Sequence, residues 1–220
     1  MHPQKRLSFD LATIAEAFKL ERSEECNYLK EWFSSSFKLN DFEQHLFDKI
    51  HKEISVSSNY LNEEELKIRL IAPIFEIVDI DTDNRIRVFY ERSLSEIRQT
   101  HDKEEYKLSV ICDCMIASST IFKTPQKPYF FLQEFKKAKG EKNDPEAQML
   151  VAMLAAQESN QNENPIYGGF LIGSSWQFAT LRKNQYCTSR IYQATDKEDL
   201  LQIIYAMRNL KSIILATLEN

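Results

Sequence analysis

Asp113, Glu134 and Lys136 are residues of types that buried strands seldom tolerate, set in stretches that read as buried strands. Glu134 and Lys136 lie within residues 129–139, Tyr-Phe-Phe-Leu-Gln-Glu-Phe-Lys-Lys-Ala-Lys, whose aromatic and apolar run predicts a strand. Side chains alternate faces along a strand, so Leu132, Glu134 and Lys136 share one side while Phe131, Gln133 and Phe135 share the other. The carboxylate and the ammonium are then about 7 Å apart on one face. Taking such a pair out of water is costly unless something compensates it. A divalent cation on the carboxylate, with the ammonium directed at a water or a phosphate, compensates both. Asp113 sits between Cys112 and Cys114 in the middle of a second predicted strand, residues 106–118, where Ser109, Ile111, Asp113 and Met115 share a face. If the two strands pair antiparallel, Asp113 can lie opposite Glu134 with Cβ atoms about 5 Å apart. Two carboxylates that close repel unless a cation lies between them.

The flanking pattern supplies elements to hold these residues. Residues 62–78 predict a helix capped by Asn62, with Leu66, Leu70, Ile74 and Ile77 as its buried stripe. Glu63 is the carboxylate on that stripe, whereas Glu64 and Glu65 read as solvated partners of the helix dipole. Residues 144–157 predict a second helix, opened by Asp144 and Pro145, in which Gln148 joins Val151, Ala152 and Ala155 on the face toward the sheet. Pro125 and Pro128 break the loop between the two strands. Further strands are expected over residues 167–181, interrupted at 173–175, and over 186–193, before a closing helix from Asp196. Ile86, Val88 and Tyr90 suggest a strand, and the charged residues 91–105 a mobile or helical connection. Residues 1–58 read as a helical N-terminal extension to a main domain of residues 59–220. The expected whole is an α/β fold with a mixed sheet of about four or five strands, flanked by the Asn62 and Asp144 helices.

Composition narrows the functional classes. A chain of 220 residues with 43% hydrophobic and 28% charged residues suits one sizeable globular domain. No apolar run reaches the roughly 18 residues that span a bilayer, and the first residues lack the apolar core of a signal peptide, so a cytoplasmic location is expected. Cys26, Cys112, Cys114 and Cys187 are too scattered for a zinc module and read as reduced, packed thiols. His2, His45, His51 and His101 have no metal-ligand spacing. A formal charge of -5 argues against coating nucleic acid by bulk electrostatics. Charge is nevertheless uneven: Lys123, Lys127, Lys136, Lys137, Lys139 and Lys142 face only Glu134 and Glu141, a local excess of four positive charges beside the acidic residues. This run reads either as a solvated turn or as a phosphate-facing patch.

Taken in order, Asp113, then Glu134-Phe135-Lys136 after a hairpin-sized gap, then the Gln148 helix, resemble the motifs of the PD-(D/E)XK nuclease superfamily. Asn62-Glu63 with Pro73 is similar to the first core helix of the nuclease domain in type I restriction subunits and related bacterial proteins. Gly173-x-x-Trp176-x-Phe178 resembles the stretch that closes the sheet in that group. The similarity covers about residues 60–217. It departs from the pattern in lacking a proline before Asp113, and in having Ala152 where the recombination-nuclease branch has a tyrosine. The resemblance implies a restriction-endonuclease-like mixed sheet and a Mg²⁺-dependent deoxyribonuclease, with Mn²⁺ as a substitute cation and restriction or repair as its setting. It implies Asp113, Glu134, the carbonyl of Phe135 and Glu63 around the metal, and Asp113, Glu134, Lys136 and Gln148 as catalytic residues. Lys137 and Lys139 would contact DNA, and a protein partner or a second copy would deliver it. The alternative expectation is a catalytically silent binding module on the same fold, and a third is an α/β interaction protein in which Glu134 and Lys136 form an edge-strand ion pair.

Overall fold

The computed structural model describes residues 5–23, 26–82, 85–100, 102–136 and 144–219. In chain order the elements are β1 (Lys5–Arg6), α1 (Leu11–Phe18), β2 (Glu21–Arg22), α2 (Asn27–Trp32), α3 (Asp41–Ser57) and α4 (Glu63–Leu66), which runs through a π turn (Lys67–Ile71) into α5 (Ala72–Val78). Then come β3 (Ile86–Gln99), β4 (Glu105–Ser119), β5 (Pro125–Lys136), α6 (Pro145–Asn160), β6 (Ile166–Ile172), β7 (Ser175–Arg182), β8 (Gln185–Gln193) and α7 (Lys197–Glu219).

The strands form one mixed sheet, eight-stranded among the described residues. β3, β4 and β5 are an antiparallel meander; α6 then carries the chain back so that β6 pairs parallel to β5, with Glu134 beside Phe170. β7 and β8 extend the sheet antiparallel. The sheet is wider than the four or five strands expected from sequence, because residues 167–181 make two strands, β6 and β7, and because β1 and β2 join it. β1 pairs parallel with β4 and β2 parallel with β8, and strands of two residues are too short to show a period. The charged stretch after Tyr90 is also strand, not a connection, because β3 pairs with β4 as far as Gln99. Among the described residues β3 has no strand on its other side, and charged side chains are what an edge strand carries.

Local chemistry fixes the elements that flank the sheet. Asn62 Oδ1 accepts the Glu65 N–H at 2.9 Å while the Glu65 carboxylate accepts the Asn62 N–H at 2.9 Å, a reciprocal cap that starts α4. Asn40 and Glu43 make the same arrangement on α3. Asp144 accepts the Glu146 N–H at 2.9 Å, and Pro145 fills the first position of α6, where its missing N–H costs nothing. One face of the sheet packs on α6 and α1 through Ile14, Leu108, Leu132, Met149 and Met153. The small residues Ala147, Ala152, Ala155 and Ala156 are all buried and allow close approach. At Gly168 a Cβ would come within 2.8 Å of Met153 Sδ and 2.9 Å of Met149 Sδ, so a side chain there would require both methionines to shift.

The other face packs on α2, α3, α5 and α7 around Trp32, Phe131, Phe135, Phe178 and Leu210. The N-terminal stretch is therefore part of this core as well as a helical addition. Trp32 is 0% exposed, donates its indole N–H to the Ala206 carbonyl at 2.7 Å and meets the rings of Phe131, Tyr167 and Phe178 edge-on. All four cysteines are free and buried. Among the described residues, no helix is long and apolar enough to cross a membrane.

Candidate active site

The site lies where β4 and β5 stop pairing. Their register runs through Ile116↔Phe131 and Met115↔Leu132 to Cys114↔Gln133, and the next step would set Asp113 opposite Glu134. Instead of a ladder bond, Asp113 Oδ2 accepts the Phe135 N–H at 2.7 Å. On the other side of β4, Tyr90 pairs with Cys114 and Arg92 with Cys112, so Glu91 stands opposite Asp113. Glu91 has φ 51°, a left-handed conformation that side-chain-bearing residues rarely adopt. β4 slips its face alternation at this same step. Cys112 and Met115 lie on the α6 face, whereas Cys114 and Ile116 lie on the opposite one. Met115 therefore does not share a face with Ser109 and Ile111, as a regular strand would require. An irregularity of this kind beside a functional residue is how sheets re-aim a side chain.

Glu134 is 1% exposed, and its Oε1 is buried without a hydrogen-bond partner. Burial, and then the charge of Asp113 and a hydrogen bond to it, push the Glu134 carboxyl well above the usual carboxylate range, against the pull of Lys136. Burial also raises the Asp113 carboxyl, opposed by the Phe135 N–H and the charges of Lys67 and Lys136. Lys136 reaches across to Glu63 on α4, Nζ to Oε1 3.4 Å. Gln148, in the first turns of α6, has a buried Oε1 without a partner. Asp113, Glu134 and Lys136 thus gather at one end of β5, with Glu63 held by Lys136. Lys137 and Lys139 lie outside the described residues.

Oxygen donors of this kind suit a hard divalent cation. Asp113 and Glu134 are the two carboxylates that could hold one, and Glu134 has a buried oxygen without a partner to accept it. Among the described residues no group of three or more His, Cys, Asp or Glu side chains is gathered closely enough to hold a metal without other donors. A cavity of about 240 Å³ between Tyr28, Glu31, Phe130 and Tyr167 includes none of these residues and lies toward the other end of β5.

Lys67 is the residue of this neighbourhood that motif analysis does not find. It is 7% exposed, bonds Glu64 at 3.0 Å and Glu91 more closely still, and lies 5.8 Å from the centroid of the Phe135 ring. Glu64, read from sequence as a solvated partner of the helix dipole, is thereby one of its two carboxylates. The π turn that carries Lys67 has a local cause. Pro73 cannot donate to a carbonyl four residues back, and its ring crowds that carbonyl, so the preceding turn widens and the Ala72 N–H reaches Lys67 O. Lys67 falls four residues after Glu63, which is helical spacing onto the same side, and this is the signal that could have found it.

No protein-family model matches the chain, and no curated protein matches it.

Proposed function

We propose that this chain is a metal-dependent nuclease that hydrolyses phosphodiester bonds of DNA on a restriction-endonuclease-like core. Support comes from the order of helix, three-stranded meander, crossover helix and parallel strand, with the acidic residues at the parting of the second and third strands of that meander. The observation that carries the proposal is the pair Asp113 and Glu134: a half-buried and a fully buried carboxylate on neighbouring strands, the buried one with an unpartnered oxygen. Nothing in a self-contained protein core gains from that arrangement, because each carboxylate raises the cost of ionising the other. Asp113, Glu134 and the Phe135 carbonyl would hold Mg²⁺, or Mn²⁺ in its place, which when bound supplies positive charge for the developing phosphate charge and lowers the pKa of water.

The remaining work falls to side chains of the chain. Asp113 is fixed by its bond to the Phe135 N–H, so its second oxygen keeps one direction. Lys136 carries an ammonium at the edge of the site, where it orients the attacking water and donates to a non-bridging phosphate oxygen as negative charge grows there. Glu63 holds that ammonium in place. Gln148 offers an amide to the same water. Lys137 and Lys139 would neutralise neighbouring phosphates, and a protein partner or a second copy would bring the DNA to an acidic chain.

A second reading, a catalytically silent module that binds a partner through the same fold, is favoured by one observation. Both lysines of the site are already paired with carboxylates, Lys136 with Glu63 and Lys67 with Glu64 and Glu91. Incubation of the purified protein with plasmid, linear and single-stranded DNA in Mg²⁺, Mn²⁺ or EDTA separates the two. Cleavage that needs the cation and is lost in Asp113→Ala supports the nuclease; no cleavage of any form in either metal supports the module.

A further inference from the structure

Two of the four buried thiols converge on one hydroxyl. Cys26 Sγ lies 3.4 Å from Thr180 Oγ1, although the two residues are 154 positions apart in the chain. Thr180 on β7 pairs directly with Cys187 on β8. Directly paired residues project to the same side of a sheet with Cβ atoms about 5 Å apart, so Cys187 stands beside the hydroxyl that Cys26 touches. The backbone brings Cys26 there from the other flank of β8. Glu21 and Arg22 pair parallel with Gln185 and Tyr186, and the Ser23 N–H donates to the Tyr186 carbonyl at 3.0 Å, so the segment leading to Cys26 runs along β8 toward Cys187. The spacing of neighbouring strands, about 4.8 Å, falls within the Cα separation of roughly 4.4–6.8 Å that a disulfide requires. Cys112 and Cys114 are not placed to do the same. They lie on opposite faces of the sheet, and β5, β6 and β7 separate their strand from β8.

We propose that Cys26 and Cys187 form a redox-modification site, in which oxidation by a peroxide joins them in a disulfide that locks the N-terminal segment onto β8. Their chemistry divides the two roles. Burial pushes the Cys187 thiol up to about 12, and the neighbouring Cys26 adds to that. At Cys26 burial acts in the same direction but is outweighed by hydrogen bonds with Cys187 and Thr180 and from the Leu29 and Tyr28 N–H groups, which hold this thiol below its usual range. Cys26 therefore attacks first. Its thiolate takes one oxygen of hydrogen peroxide, the O–O bond breaks and hydroxide leaves, which gives a sulfenic acid. The Cys187 sulfur then displaces that hydroxyl, which departs with the Cys187 proton as water, and the S–S bond forms. The two thiols give up two electrons and two protons, and one peroxide becomes two waters. This inference does not depend on the nuclease reading.

The test is made on the full chain, reduced, freed of reductant and treated with hydrogen peroxide. The remaining thiols are alkylated after denaturation, and the peptides are mapped by mass spectrometry. Wild type should retain two of its four thiols and yield one linked peptide pair joining Cys26 to Cys187, which dithiothreitol separates. Oxidation should also raise its thermal midpoint, because a closed loop of this length restricts the unfolded chain. Cys26→Ser should keep its three thiols and show no such rise. Four free thiols in treated wild type would overturn the proposal, as would a bridge through Cys112 or Cys114, or Cys26 carried on to a sulfinic acid with no bridge. Cys187→Ala replaces Cys26→Ser if the latter does not fold, and the wild-type peptide map is decisive in either case.

Discussion

Asp113 and Phe135 are joined by a bond that the sheet ladder does not supply: Asp113 Oδ2 accepts the Phe135 N–H at 2.7 Å, one step beyond the last β4–β5 pair. One carboxylate oxygen thus closes the sheet, and the other is left for chemistry. The two roles separate by substitution. Asp113→Ala leaves a buried N–H without an acceptor and should lower stability in EDTA by about 1–3 kcal/mol in urea unfolding. Asp113→Asn keeps an acceptor and removes a charge beside Glu134, so it should match or exceed wild type in EDTA while losing any stabilisation by Mg²⁺. Equal losses in both variants would contradict this division of labour.

The raised carboxyls of Glu134 and Asp113 set a pH dependence. Burial, first of all, makes both bind their protons more tightly in the folded chain than in the unfolded one. Such groups contribute their full stability below the unfolded-state pKa, about 4 for a carboxylate, and lose it as pH rises through the folded value. In EDTA the thermal midpoint of wild type should therefore fall progressively behind that of Glu134→Gln as pH is raised above about 4. Mg²⁺ favours the ionised form and should narrow the gap. Melting curves of the two proteins that run parallel across pH would show that Glu134 is not protonated in the folded chain.

Trp32 tests how far the N-terminal stretch belongs to the core. Its ring is wholly buried among Phe131, Tyr167 and Phe178, and its N–H is satisfied by Ala206 O. Trp32→Ala should cost about 3–5 kcal/mol and lower a single cooperative transition. A variant in which the N-terminal region melts separately, with the rest unchanged, would instead mark a detachable extension.

The parts of this fold that sequence revealed are those where one chemical signal dominates a short window. Asn62 and Asp144 start helices because an oxygen at the cap answers a free N–H three or two residues on, and both caps are formed. Asp113 and Glu134 could be set on neighbouring strands because a short connection joins two apolar runs, although Pro125 and Pro128, expected to break that connection, lie within β5, which pairs with β4 from Pro125 onward. β1 and β2 carry no period and owe their pairing to tertiary placement, while the second half of β3 is charged because it lies at an edge. The face of Met115 is not the one that strict alternation predicts, because β4 slips at Asp113, the same step at which Glu91 on β3 adopts a left-handed backbone. Lys67 carries no motif signal in the sequence for a related reason: its partner Glu91 comes from a segment whose strand character is set by pairing, not by composition.

Lys136 offers the most direct measurement of whether this site cleaves DNA. Its ammonium is assigned to the transition state, so its loss should act on the rate more than on binding. Lys136→Met keeps most of the apolar stem and removes the charge. Single-turnover cleavage of labelled DNA in Mg²⁺, with binding measured beside it in Ca²⁺, should show a rate lower by about a hundredfold or more, and DNA binding within a few-fold of wild type. Wild type that binds DNA without cleaving it, and Lys136→Met that matches it in both measurements, would contradict the nuclease and leave the binding module.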